Sequence, residues 1–206
     1  MEQPQKSILP RDRLIEAGTA LFSQHGFAAA TVREICGLAD VGGNMVHHYF
    51  GNKQGLFDEI MSGFTEDVWQ VPMRIISAPA ESRQNLISRL EIFFEETFEA
   101  LVSHRRLYEM AVREKMIFEV FTSYTTQFVR YIEAAKQAGF VREALDIEML
   151  TGFVLDRLGN QILFASWIEK TSGHNVLTDR DYRRRWLKAN LDFVFHGMLT
   201  CRTESP

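Results

Sequence analysis

Cysteine is scarce in this chain. Its two, Cys36 and Cys201, stand far apart among 206 residues and provide no disulfide framework. Cys36 falls on the apolar side of a helical pattern, where a small core residue is expected rather than a redox group. No N-terminal apolar run reads as a signal peptide. No segment approaches the roughly 18 uninterrupted apolar residues of a membrane span. A cytoplasmic protein without a membrane partner is the expectation. Positive charge is also in short supply. The net charge is −4, and within residues 1–54 the bases Lys6, Arg11, Arg13, Arg33 and Lys53 are matched by Glu2, Asp12, Glu16, Glu34 and Asp40. The whole protein is therefore no electrostatic magnet for polyanions, and such a partner would need a local patch with the acids turned away.

Catalytic signatures are absent as well. There is no Glu-x-x-His pair for a di-iron bundle, no His-Glu-x-x-His for zinc, no phosphate-binding glycine loop and no Gly-x-Ser-x-Gly elbow. His25, His47, His48, His104, His174 and His196 do not cluster at ligand spacing. No enzyme activity, metal or cofactor is expected.

What the chain does have is apolar bulk. Hydrophobic residues make up 46%, including 16 Phe, enough for a sizeable core. No strand-period alternation, internal repeat or low-complexity tract interrupts it, so the fold class is all-α, with about nine helices. A first helix is expected from Leu9 to Gln24, with Ser7 as a cap, Pro10 in its first turn and Gly26 past its end. A helix from Lys53 to Ile76 follows a short helical pair, and Pro72 should kink or shorten it. Pro79 marks the boundary to further helices over Arg83–Ser103, Arg105–Val112, Met116–Ala138, Asp146–Lys170 and Thr178–Thr200. Two domains are expected, 1–55 and 56–206.

The stretch from Thr31 to Phe57 is the most informative. Thr31 is a candidate N-cap. Val32, Ile35, Cys36, Leu38 and Ala39 give one apolar face, and Val46, Tyr49 and Phe50 continue one after a turn. Asp40 stands at that turn, and Asp tolerates left-handed φ better than most residues. This pattern suits a helix-turn-helix, whose second helix enters the major groove. In Thr31-Val32-Arg33-Glu34-Ile35, His48-Tyr49-Phe50 and Asn52-Lys53-Gln54-Gly55-Leu56-Phe57 the chain resembles the tetracycline-repressor (TetR-like) family of bacterial transcriptional regulators. The likeness extends upstream through Leu21-Phe22 and His25-Gly26-Phe27, so it covers residues 11–60. Asp40 stands where the family usually has Gly, Gly42 and Gly43 where it often has Ser and Lys, and His47 where it usually has Tyr.

Each candidate has a chemical reason. Gly42 and Gly43 expose backbone N–H groups at the start of the second helix. Asn44 offers an amide suited to adenine, and Met45 an apolar contact for a thymine methyl. His47 and His48 can bond a base or a phosphate. Thr31, Arg33 and Lys53 lie near helix N-termini, where phosphate is favoured. The aromatics and Met at Trp69, Phe94, Phe98, Tyr108, Met110, Phe121, Phe128 and Tyr131 recur at helical spacing. Each alone reads as core; as a set they are candidates to line a cavity for a small hydrophobic ligand, and the resemblance implies an effector pocket of that kind. The Asp146–Lys170 helix is apolar nearly all round, and Gly152, Gly159 and Ser166 repeat every seven residues along it. With Ile162, and with Trp186 and Phe193 from the last helix, they are the candidate dimer seam. Arg183-Arg184-Arg185 reads as a solvated face.

Together these expectations describe a homodimeric repressor on double-stranded DNA, with a palindromic operator and a small hydrophobic effector. The larger C-terminal domain would bind ligand and dimerise. The rival is a helical ligand-binding or scaffolding protein with a degenerate DNA module. The sequence names neither effector, operator nor regulated genes, and does not separate repressor from activator.

Overall fold

The computed structural model describes residues 9–199, with side chains throughout that range except at 117–120 and 123. Ser7, Thr200 and Cys201 lie outside the described residues. Among the described residues there are ten helices and no strand, only an isolated antiparallel bridge between Val141 and Leu199. The chain divides into two compact units, one drawn from Met1–Glu66 and Arg106–Val120, the other from Asp67–Arg105 and Phe121–Pro206. The first unit thus extends beyond residue 55 and recruits a later helix, which a boundary drawn along the chain does not anticipate.

The first unit holds α1 (Pro10–His25), α2 (Val32–Leu38), α3 (Met45–Phe50), the start of α4 (Lys53–Ile75) and most of α6 (Arg105–Arg113). Pro10 sits at the start of α1, where its missing N–H costs nothing. Gly26 ends that helix at φ 83, a backbone position that penalises a Cβ. Gly18 lets α4 approach, since a Cβ there would meet the Leu56 and Ile60 side chains at 3.0 Å. Phe22, Phe27 and Phe57 close the core, with ring centroids 4.8–5.6 Å apart. From α6, Arg113 Nη2 donates to the carbonyls of Phe22 (2.8 Å) and Ser23 (3.3 Å) in the last turn of α1, the former also accepting from the Gly26 N–H at 2.9 Å. Glu114 Oε1 accepts from the Phe27 N–H at 3.2 Å.

The second unit contains the rest of α4, α5 (Arg83–Ser103), most of α7 (Ile117–Gln137), α8 (Ile147–Leu163), α9 (Ala165–Ser172) and α10 (Arg180–Met198). Ser82, Asp146 and Asp179 cap α5, α8 and α10 by accepting from backbone N–H groups three residues on. Pro72 lies inside α4, and the helix continues to Ile75 despite the lost donor.

Two expectations are corrected here. The helix expected over Asp146–Lys170 breaks at Phe164 (φ −103, ψ 14) into α8 and α9, so Gly152, Gly159 and Ser166 do not share one straight helix. The Arg183-Arg184-Arg185 run is not uniformly solvated. Arg183 is buried, with its fork on Glu99 (Nε–Oε1 2.8 Å, Nη2–Oε2 3.0 Å) and Nη1 on the Val176 carbonyl. The guanidinium ties the loop before α10 to α5.

Candidate nucleic-acid interface

The helix-turn-helix is built from local chemistry. Thr31 and Glu34 form a capping box: Thr31 Oγ1 accepts from the Glu34 N–H at 3.2 Å, and Glu34 Oε2 accepts from the Thr31 N–H at 2.9 Å. The Thr31 hydroxyl and backbone N–H on its carboxylate hold Glu34 below the usual carboxylate pKa. At the turn Asp40 adopts φ 50, and Arg13 Nη1 from α1 donates to its carbonyl at 3.2 Å. Val41 N–H returns to the Cys36 carbonyl at 3.1 Å. Val46, fully buried, then pins α3 to the core.

This pinning leaves the other side of α3 outward. Gly42, Gly43, Asn44, His47 and His48 are exposed, and Met45 is half-buried. A Cβ at Gly43 would meet nothing within 4 Å, and one at Gly42 only the Met45 Cγ at 3.9 Å. Neither has a positive φ. The fold itself does not require glycine at either position. Asn44 is the N-cap residue of α3, yet its side chain makes no capping hydrogen bond, so the amide is not committed there. His47 is more constrained than its sequence position suggests. Its Nδ1 lies 2.8 Å from the Gly51 carbonyl, which only accepts. In the neutral ring Nδ1 therefore carries the proton and Nε2 is an acceptor, suited to an amino group of cytosine or adenine. Thr31 and Arg33 are exposed on α2.

Lys53 corrects the expectation of a phosphate contact. Its Nζ donates to the carbonyls of Phe27 (2.8 Å), Ala30 (2.9 Å) and Ala28 (3.5 Å) and sits 4.4 Å from the Phe27 ring centroid. The ammonium closes the α1–α2 loop from within. Sequence reasoning also missed Gly55. Asn52 Oδ1 accepts from its N–H at 2.9 Å, and a Cβ at Gly55 would lie 2.0 Å from the Phe50 carbonyl oxygen.

The other two candidate sets are divided by the structure. Tyr108 and Met110 belong to the first unit; Trp69, Phe94, Phe98, Phe121, Phe128 and Tyr131 belong to the second. In the second, Trp69 stacks on Tyr124 (5.0 Å, 13°), and Phe128 meets Phe93 at 5.3 Å and Phe94 at 5.7 Å. A cleft bounded by Phe94, Leu158, Trp186 and Leu191 encloses only about 10 Å³, the space of a single water. Of the dimer seam, Gly159 and Ile162 are buried within this one chain, which corrects their assignment. Gly152, Ser166 and Phe193 are exposed, and Trp186 is half-buried. Exposed apolar side chains not singled out for that seam, Met149, Phe153, Phe164 and Trp167, lie on or between α8 and α9.

The sequence model of "Bacterial regulatory proteins, tetR family" matches residues 14–60, the stretch that makes the helix-turn-helix. The HTH-type transcriptional repressor KstR2 of Rhodococcus jostii is 28% identical over 153 residues, 71% of this chain and 74% of its own. Over residues 14–60 the chain is TetR-like, and the relatives it matches are named as transcriptional regulators. Solved structures of TetR-like proteins share its fold along nearly the whole chain. The ketosteroid transcriptional regulator KstR2 of Mycobacterium tuberculosis has a TM-score of 0.71 at 19% identity, over 95% of this chain and 98% of its own. SmeT, the repressor of the Stenotrophomonas maltophilia multidrug efflux pump SmeDEF, has 0.71 at 18% identity, over 98% and 96%. Among the described residues of this TetR-like chain no helix is long and apolar enough to cross a membrane.

Asn44→Ala is expected to weaken binding to the preferred DNA site by about 1–3 kcal/mol and relax base choice at one position per half-site. Competition between single-base variants of that site measures this. Unchanged selectivity would remove Asn44 from the reading residues.

Proposed function

We propose that this chain is a homodimeric repressor that reads a palindromic operator through α3 and is released by a small hydrophobic ligand. The observation that carries the reading is the outward edge of α3. Gly42, Gly43, Asn44 and His48 are exposed there with little role in the fold, Met45 is half-buried, His47 is exposed and held by the Gly51 carbonyl, and Thr31 and Arg33 are exposed at the start of α2. Lys53 acts as a positioning residue. The relatives named as transcriptional repressors support the same direction. Dimerisation is supported by the exposed apolar side chains of the second unit, above all Phe193 at 70% and Trp167 at 65%. Two copies would present two recognition helices to half-sites a helical turn apart. The domain carrying residues 1–55 would bind DNA, and 56–206 would bind ligand and dimerise.

Selection from random duplexes tests the reading. It should enrich an inverted repeat that binds the chain with two recognition helices and weakens as salt rises. Enrichment of no sequence would leave the degenerate-module alternative. Phe193→Glu places a charge in the proposed dimer face and is expected to yield monomers at micromolar concentration, read by sedimentation velocity. An unaltered dimer would move the interface elsewhere.

A further inference from the structure

His47 and Gly51 are joined twice. The Gly51 N–H donates to the His47 carbonyl at 3.1 Å, and the His47 ring sets Nδ1 2.8 Å from the Gly51 carbonyl. Gly51 ends α3 at φ 76, a left-handed position that favours glycine. Because a carbonyl only accepts, Nδ1 keeps the proton, and the exposed neutral ring offers its Nε2 lone pair outward. Turning the ring to present an N–H instead would break the bond to Gly51.

The neighbouring histidine has no such restriction. His48 packs edge-on against the Tyr49 ring at 4.9 Å, and its nitrogens have no hydrogen-bond partner among the described residues. It can present either tautomer and is not confined to one kind of base. Tyrosine, the residue usual at position 47 in the TetR-like family, carries a hydroxyl that both donates and accepts. The tethered His47 ring does only one of these.

The bases divide along the same line. In the major groove adenine and cytosine each present an amino group, whereas guanine and thymine present acceptors and, for thymine, a methyl. Asn44 is exposed three residues earlier, on the same side of α3 and about 4.5 Å away along a helix axis. That spacing is close to the step of about 3.4 Å between bases of a duplex strand.

We infer that His47 is a specificity-determining residue: Nε2 accepts from the amino group of adenine or cytosine at the base pair next to the one Asn44 contacts. Guanine and thymine are rejected on that strand, because an acceptor would face an acceptor. The inference rests on the reading of α3 as the helix that meets the operator. Its signature is a two-base position in each half-site, where adenine and cytosine are taken and guanine and thymine are not.

The test uses the full chain at about pH 8.5, where histidine side chains are uncharged. Nitrogen-15 NMR of the free protein, with His47→Phe for assignment, should find the ring proton on Nδ1. A proton on Nε2 overturns the inference. Selection from random duplexes, followed by competition between single-base variants, should reveal a position that prefers adenine or cytosine about fivefold or more. His47→Phe should flatten that position, and Asn44→Ala its neighbour. His47→Gln should bind but discriminate less, since its amide can turn either a carbonyl or an amino group to the base. Purine in place of adenine, or 2-pyrimidinone in place of cytosine, removes the amino group alone. That change should cost the unsubstituted chain about fivefold and His47→Phe nothing. A penalty that persists in His47→Phe overturns the inference. So does an equal loss of affinity on every base, which would make His47 only a tie at the end of α3. A selected inverted repeat with no position answering to His47 overturns this inference and leaves α3 as the reading helix. Enrichment of no sequence removes both.

Discussion

Gly55→Ala is expected to dismantle the helix-turn-helix, with a loss of roughly 3 kcal/mol or more in stability and the loss of specific DNA binding. Helix propensity alone predicts the opposite, since alanine in place of glycine gains about 1 kcal/mol in a helix interior. Sterics reverse the sign. The new Cβ would stand 2.0 Å from the Phe50 carbonyl oxygen, a backbone atom that no side-chain rotation can move. Relief would require shifting the α3–α4 turn. That turn is held by Gly51 at φ 76, by Asn52 Oδ1 on the Gly55 N–H, and by Arg11 over the Phe50 ring at 5.5 Å. Any such shift displaces the end of α3 and the side chains that face outward from it. Gly63 is the control. It lies within α4, and a Cβ there would meet nothing within 4 Å. Gly63→Ala should stabilise by up to about 1 kcal/mol. Urea midpoints of the two variants decide the matter; equal stability would mean that the close approach at Gly55 does not exist in solution.

The features that could be read from the sequence are those set by near neighbours along the chain. Thr31 as a cap, Gly26 as a helix end, Asp40 at positive φ and the span Arg83–Ser103 follow from periodicity and capping residues within a turn or two. The break at Phe164 carries no such signal. Leu163, Phe164, Ala165 and Ser166 all tolerate a helix, so residue type predicts an uninterrupted one, along which Gly152, Gly159 and Ser166 would align. Arg183 lies within a charge run, and its burial depends on Glu99, 84 residues away. The candidate DNA edge was legible for a related reason: Asn44 and His48 have little to do inside the fold. His47 was only half legible, because its tether to the Gly51 carbonyl selects a tautomer that residue type does not reveal. The recruitment of Arg113 and Glu114 to the first unit was not legible, since some 90 residues separate Arg113 from the carbonyls it serves.

Lys53→Met should destabilise the free protein by about 2–3 kcal/mol, the range for losing hydrogen bonds from a charged donor. Methionine keeps much of the apolar stem, so the missing part is the ammonium. Three carbonyls, those of Phe27, Ala28 and Ala30, lose their donor together, and the Phe27 ring loses its cation. Phe27 packs on Phe22 and Phe57, so loosening this loop reaches the core that orients α2. DNA affinity should then fall on all sequences alike, because fewer molecules present a formed interface. The dependence of log K on log salt should keep its slope. A lysine that neutralised a phosphate would behave otherwise: its removal would leave the free melting temperature alone and make the slope shallower by about 0.9 per phosphate. Lys53→Arg separates the two further. A planar guanidinium can serve a phosphate at least as well as an ammonium, but its fixed fork does not converge on three carbonyls as one rotating ammonium does. Arginine should therefore restore little of the lost stability. A full rescue by arginine, or a shallower salt slope with an unchanged melting temperature, would return Lys53 to the phosphate backbone.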